Sequence, residues 1–331
     1  MDRIAVIGGG SWGTALSLLL SEKVGCVCLW VWDKSQAAVM NETRENPLLP
    51  GFVLPNGVHV TTSLQEAVDG AEIILFVTPS HGATAVANEM RRYLLPGVAV
   101  ISATKGLDGE TGLTISQTLE RILVPGTRVA ALSGPNLAVE VAKRIPTATV
   151  IASNDERLAK EAQVLLMGPS LRVYTNSDVL GVELAGALKN VIAIAAGICD
   201  GMGFGDNTKA ALVTRGLAEI TRLGMRMGAQ QATFMGLAGV GDLMATCASP
   251  LSRNRRLGCG LGRGGRMEDV LHEIGQVAEG VPTTRAARDL AMRLGVEMPI
   301  TQQVYDVLFN GKSPQTALTE IMSREPREEV W

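Results

Sequence analysis

Aromatic residues and histidines are scarce in this sequence: Phe, Trp and Tyr make up 4% of 331 residues, and there are 3 histidines. With 46% of the chain hydrophobic, the apolar content must come mainly from Ala, Val, Ile and Leu. That mixture suits packed helices and parallel strands buried on both faces, and it argues against disorder. Runs of one charge sign are also missing. A net charge of -3 spread along the chain offers no basic stretch to neutralise a nucleic-acid backbone. Nucleic acid is therefore not an expected partner, and an anionic ligand should be small and held by a few local cations. The five cysteines, Cys26, Cys28, Cys199, Cys247 and Cys259, form no CxxC pair, which speaks against a structural zinc and favours reduced thiols in a cytoplasmic protein. His59, His81 and His272 fall in no catalytic spacing, and no metal is expected. The longest apolar run, residues 191–199, stops at Asp200, well short of the roughly 20 residues of a membrane span. The first residues already read as a strand, so neither a secretory signal nor a membrane span is expected.

What is present divides in two. Short runs rich in β-branched residues (4–7, 27–31, 73–77, 98–102 and 129–132) alternate with helical patterns, the signature of an α/β fold with a Rossmann-type, doubly wound and mainly parallel sheet. Segments 147–152 and 171–174, with an amphipathic helix over 158–167 between them, extend the same sheet. From Asp178 onward the pattern is all-α. Thr208 is expected to cap a helix that Gly224 ends, Pro299 opens another, and Ser313-Pro314 supplies an N-cap and a first-turn proline for the last. The expected domains are 1–177, dinucleotide-binding, and 178–331, helical and substrate-binding, with the site in the cleft between them.

The strand at the start runs straight into Gly8-Gly9-Gly10-Ser11-Trp12-Gly13 and then a helix of small and apolar residues. In this GxGxxG context Gly8 permits the turn, Gly10 lets backbone approach a pyrophosphate, and Gly13 lets helix and strand pack closely. The helix N-terminus offers free N–H groups and a positive dipole end, and Ser11 and Trp12 sit where amides meet the anion. Asp33 ends the second strand about 20 residues later, where an acid accepts hydrogen bonds from ribose hydroxyls in NAD-type sites. Lys34 follows it and can offset the charge of a 2'-phosphate, so NAD(H) and NADP(H) both remain open.

Lys189 lies on a helix whose neighbours one turn away are Ala185, Gly186, Ile192 and Ala193. A buried ammonium there must be paired or lose pKa, and a lysine of lowered pKa is a competent general acid/base. Lys105 follows a strand on the carboxyl edge, where doubly wound sheets bind ligands. Asp242, in Gly239-Val240-Gly241-Asp242, is placed to hold Lys189. Ser252, Arg253 and Asn254 combine a helix N-cap, a forked cation and an amide, a cradle for a phosphate monoester.

With these residues in hand, the chain resembles the NAD(P)-dependent sn-glycerol-3-phosphate dehydrogenase family over nearly its whole length. The resemblance is carried by GGGSWGTAL, NPLLPG, FVTPS, SATKGL, SGPN, ELAGALKN, CDGMGFGDNTKAAL, GVGDLMATC, SRNRRLG and AEGVPTT, in that order. It implies interconversion of dihydroxyacetone phosphate and glycerol 3-phosphate for phospholipid synthesis, and a homodimer. It also implies Lys189 as proton donor and acceptor, with Lys105 between cofactor and substrate. Gly134, Asn136, Asp242, Ser252, Arg253 and Asn254 become substrate contacts, and Ser11, Trp12, Ala138, Val277 and Glu279 dinucleotide contacts, with Arg253 reaching both. Leu48 stands where many members carry Tyr, and Trp32-Asp33 where some carry basic residues. A β-hydroxyacid or 6-phosphogluconate-type dehydrogenase and a non-catalytic dinucleotide sensor are the alternatives.

Overall fold

Runs of Ile, Val and Leu that are apolar at every position form strands covered from both sides. The computed structural model describes residues 2–326, 328 and 329; the outer limits of the expected domains, residues 1 and 331, lie outside them. Its strands are β1 (Arg3–Ile7), β2 (Cys26–Trp30), β3 (Glu45–Asn46), β4 (Leu49–Val53), β5 (Val58–Thr61), β6 (Ile73–Phe76), β7 (Ala99–Ser102), β8 (Arg128–Ser133), β9 (Thr147–Ala152) and β10 (Leu171–Asn176). Eight join one sheet in the order β10-β9-β8-β7-β6-β1-β2-β5, while β3 and β4 form a separate antiparallel hairpin. Every pairing from β5 through to β8 is parallel. Strand β9 then runs antiparallel to β8, and β10 runs parallel to β9, so the last two strands point the opposite way.

Alternate residues of one strand feed opposite layers. Ile4 and Val6 of β1 join the core under the helix Ser11–Leu20, whereas Ala5 and Ile7 join the one under Leu64–Val68, Ala83–Met90 and Ile115–Ile122. This is the doubly wound arrangement expected. Strand β5 and the β3-β4 hairpin were not foreseen. At the sheet edge β5 alternates Val58 and Val60 with His59 and Thr61 and lacks a continuous apolar run.

After residue 178 no strand occurs among the described residues. The helix Val179–Gly201 forms the centre of this half, with Asp206–Arg226, Arg253–Gly262, Gly280–Leu294 and Pro299–Phe309 packed around it. By length and composition it is apolar enough to cross a membrane, but 89% of its most apolar window is buried inside the protein. Pro299 opens its helix and Ser313 caps the last, accepting from the Thr316 amide at 3.0 Å. Two helix limits differ from expectation. Gly205, not Thr208, is the N-cap of Asp206–Arg226, and Gly224 lies inside that helix, where the tip of the Phe234 ring takes the space a β-carbon would need.

Helices Val179–Gly201 and Arg253–Gly262 meet backbone to backbone. A β-carbon on Gly258 would lie 2.8 Å from the Ile198 amide nitrogen and 2.9 Å from the Gly197 α-carbon. Lys189 and Asn190 on one helix are thereby set against Arg253 and Asn254 on the other. Gly258→Ala is expected to overpack this crossing at a cost of roughly 1–3 kcal/mol. An unchanged unfolding midpoint in calorimetry would contradict the contact.

Candidate active site

The parallel strands deliver their loops to one edge. After β1, Gly8 adopts φ 133°, and a β-carbon there would press on the Val77 carbonyl; one on Gly13 would collide with the Gly8 carbonyl. Glycine is thus required at both positions by the backbone itself. Gly10 differs. A β-carbon on it would meet nothing within 4 Å, and as N-cap of the helix Ser11–Leu20 it leaves the first amides without a side-chain cap. Open space against an uncapped helix N-terminus fits a dinucleotide pyrophosphate. Next to it, Trp12 Nε1 is buried with no partner among the described residues. Ser11 Oγ donates to the Leu48 carbonyl at 2.7 Å, and Ala138 packs against the same core.

Asp33 follows β2 and caps the helix Lys34–Thr43. Its Oδ1 accepts from the amides of Ser35 at 2.7 Å and Gln36 at 3.0 Å and from the Ser35 hydroxyl. These bonds, that of the Ser35 hydroxyl foremost, hold the carboxyl below the usual carboxylate range. Asp33 is therefore both turn residue and fixed negative charge, with Lys34 exposed beside it.

Three charged residues from three elements converge at the carboxyl edge. Asp242, opening the helix Asp242–Ala248, is 1% exposed. Its Oδ2 accepts from Lys105 Nζ at 2.8 Å, and its Oδ1 accepts from Lys189 Nζ. Lys105 also donates to the Gly134 carbonyl at 2.8 Å, and Lys189 to Thr246 Oγ1 at 2.8 Å. Two ammonium groups thus share one buried carboxylate, leaving a net positive charge. Burial lowers the Lys189 pKa to about 7, Asp242 opposing and Lys105 reinforcing the shift. Asn136 donates to Thr149 Oγ1 at 2.9 Å, while its Oδ1 has no partner among the described residues.

The second cluster lies on the helix that packs against Lys189's helix. Ser252 caps Arg253–Gly262, its hydroxyl accepting from the Arg255 amide at 3.2 Å. Asn254 donates to Asn190 Oδ1 at 2.8 Å and accepts from the Gly280 amide at 2.9 Å, which ties this helix to Lys189's neighbour. Arg253 is open to solvent yet crowded by protein, as in a cleft, so desolvation draws its guanidinium pKa down while Glu279 opposes. Glu279 accepts from the Ser80 amide at 3.1 Å and from the Ser80 hydroxyl, joining the helical half to the loop after β6. Val277 is partly exposed two residues before it.

Sequence reasoning missed two members. Thr246 lies four residues after Asp242, one helix turn away, so the spacing does carry a signal. Glu183 is buried on the Lys189 helix and accepts from the Ser116 amide at 2.9 Å and the Ser116 hydroxyl, 67 residues away in sequence. No local pattern reveals that contact. Among the described residues no group of three His, Cys, Asp or Glu side chains is arranged to hold a metal.

A doubly wound dinucleotide sheet, a buried lysine-carboxylate-lysine cluster at its carboxyl edge and a helical half packed over it define a two-domain, dinucleotide-linked dehydrogenase. More narrowly, the chain belongs to the NAD-dependent glycerol-3-phosphate dehydrogenase family: residues 3–159 match that family's N-terminal region and residues 178–319 its C-terminal region. It is 51% identical to the glycerol-3-phosphate dehydrogenase (NAD(P)+) of Koribacter versatilis over 336 aligned positions, covering 100% of both chains. Against that of Geobacter metallireducens it is 49% identical, with 99% of each covered. A crystal structure of glycerol-3-phosphate dehydrogenase from Coxiella burnetii superposes with a TM-score of 0.95 at 39% identity, over 98% of this chain and 99% of that one.

The lowered Lys189 pKa has a consequence for stability. The unfolded residue keeps the ordinary value of 10.5. Between about 7 and 10.5 the unfolded residue therefore binds the extra proton, and Lys189 itself contributes stability that rises with pH through that window. In Lys189→Met the gain should vanish; equal slopes of unfolding midpoint against pH in both proteins would refute the shift.

Proposed function

We propose that this chain catalyses the reversible reduction of dihydroxyacetone phosphate to sn-glycerol 3-phosphate with NADH or NADPH, supplying glycerol 3-phosphate for glycerophospholipid synthesis. The observation that carries the reading is the buried Lys189 ammonium, held by Asp242 and Thr246 beside a second lysine. Relatives bearing the glycerol-3-phosphate dehydrogenase (NAD(P)+) name over their full length support the substrate. The five unpaired cysteines suit a reducing cytoplasm. The domain division is placed at residues 177 and 178, and a homodimer follows from the family resemblance.

Gly8, Gly10, Ser11, Trp12 and Gly13, with Asp33, Ala138, Val277 and Glu279, would hold the dinucleotide, which when bound would supply a hydride for the carbonyl carbon. Lys189 gives its proton to the carbonyl oxygen as negative charge develops there, so ketone, hydride and proton account for the alcohol. Its lowered pKa keeps the proton transferable near neutrality. Lys105, fixed by Asp242 and the Gly134 carbonyl, adds positive charge between cofactor and substrate. Asp242 positions both lysines, and in the oxidation direction Lys189 accepts the proton back.

Arg253 takes the phosphate with its fork, aided by the second Nδ2 hydrogen of Asn254, Ser252 and the N-terminal amides of their helix. Asn136 and Gly134 line the other side. The charge of Asp33 favours NAD(H), Lys34 offsets it towards NADP(H), and side-by-side oxidation of NADH and NADPH with dihydroxyacetone phosphate measures the balance.

Lys189→Ala should lower turnover by roughly a hundredfold to ten-thousandfold, the usual span for general acid/base catalysis, with the dinucleotide Kd nearly unchanged. Near-wild-type turnover would sink the assignment. In Arg253→Ala, loss of the charged contact should weaken phosphate binding by roughly 1.5 to 3 kcal/mol, read as a raised KM for dihydroxyacetone phosphate. An unchanged KM there would move the phosphate elsewhere.

A further inference from the structure

The β3-β4 hairpin stands outside the main sheet, and no step of the reaction above uses it. It nevertheless carries Asn46, a wholly buried amide at 0% exposure whose four hydrogen-bonding positions are all filled. Its Nδ2 donates to the Gly9 carbonyl at 2.9 Å and to Thr14 Oγ1 at 2.6 Å. Its Oδ1 accepts from Gln36 Nε2 at 2.9 Å and from the Leu48 amide at 2.9 Å. Gln36 Nε2 also donates to the Gly9 carbonyl, at 2.7 Å. Two side-chain amides therefore grip one carbonyl in the middle of the glycine loop, and Asn46 reaches past it to the first turn of the helix that follows.

The peptide linking Gly9 to Gly10 is planar and trans, so its C=O and N–H point in opposite directions. Turning the Gly9 carbonyl into the Asn46–Gln36 pair turns the Gly10 N–H away from the hairpin. Left to itself, a Gly-Gly-Gly run has the largest backbone freedom of any tripeptide and samples both orientations of that peptide.

We infer that Asn46, with Gln36, is a positioning residue that presets the glycine loop so that its amides face the dinucleotide pyrophosphate before the cofactor arrives. The inference rests on the cofactor reading above and adds to it where the loop's order comes from. Asn46 touches neither the lysine cluster nor the phosphate cradle, so its effect should be confined to the dinucleotide.

The test is NADH binding, followed by protein fluorescence, together with steady-state kinetics. In Asn46→Asp, which keeps the shape but loses both donors, the Kd and KM for NADH should rise about tenfold or more. That is the range for leaving a buried acceptor unpaired. Turnover at saturating NADH and the KM for dihydroxyacetone phosphate should stay within about twofold, since the interaction lost is one of cofactor binding only. Gln36→Leu, at a partly exposed position, should fold normally and raise the NADH Kd in the same direction by a smaller factor. If Asn46→Asp does not fold, Gln36→Leu alone decides. Wild-type NADH affinity in the folded variants overturns the role of Asn46. A fall in turnover with unchanged NADH affinity overturns it equally, because it would mean a general structural effect. Failure of the wild-type chain to bind NADH or NADPH would instead overturn the cofactor assignment, and this inference with it.

Discussion

One buried carboxylate shared by two ammonium groups is the constraint around which the rest is arranged. Asp242 is almost sealed from water, and each lysine it holds comes from a different part of the chain, Lys105 from the loop after β7 and Lys189 from the helix Val179–Gly201. A buried charge without a partner costs several kcal/mol. The three groups are therefore stable only together, and only while the two halves of the molecule are docked. Glu183 on Ser116 and Glu279 on Ser80 repeat the pattern, each setting a carboxylate of the helical half on a hydroxyl and amide of the sheet half. Docking and assembly of the charge cluster are one event.

In the reaction proposed above, the positive charge that the cluster carries with Lys189 protonated would match a ketone phosphate, which brings a permanent anion and an oxygen that becomes negative during reduction. Low polarity around Lys189 lowers its pKa to about 7, and in the proposed reaction the same low polarity would strengthen the attraction of both lysines for a developing alkoxide. Desolvation thus tunes the acid and sharpens the electrostatics at once. Ser252, Arg253 and Asn254 are held at a fixed offset from Lys189 because their helix touches the lysine helix backbone to backbone.

Much of this was legible in the sequence, and the reasons are local. The glycine loop announces itself because strand, turn and helix are consecutive, and Lys189 stands out because its whole helix face is small and apolar. Ser252, Arg253 and Asn254 are adjacent, so the helix cap and the cation beside it could be read directly. What escaped depended on distant partners or on edges. Strand β5 carries too few apolar residues to separate from a loop, and Glu183 pairs across a gap no periodicity spans. Asn46 looks like an ordinary turn residue before a proline until Gly9 is seen against it. Gly224 marked a helix end only because its ring partner, Phe234, was invisible in one dimension.

The reversal of β9 and β10 sets a length. Because these two strands run against the others, the chain leaves β10 at the edge of the sheet away from the ligand loops. The helix that follows returns toward the carboxyl edge, with Glu183 already on Ser116 and Gly186 against Ser133 at the end of β8. At 1.5 Å per residue, the ten-residue stretch from Val179 gains about 15 Å, close to the height of a four- or five-residue strand. Lys189 lies about one turn beyond Gly186, and its ammonium meets Asp242 there. The interval is a ruler, and a helix turns by about 100° per residue. One residue added or removed between Asp178 and Lys189 would swing the ammonium off Asp242 without altering any side chain at the site.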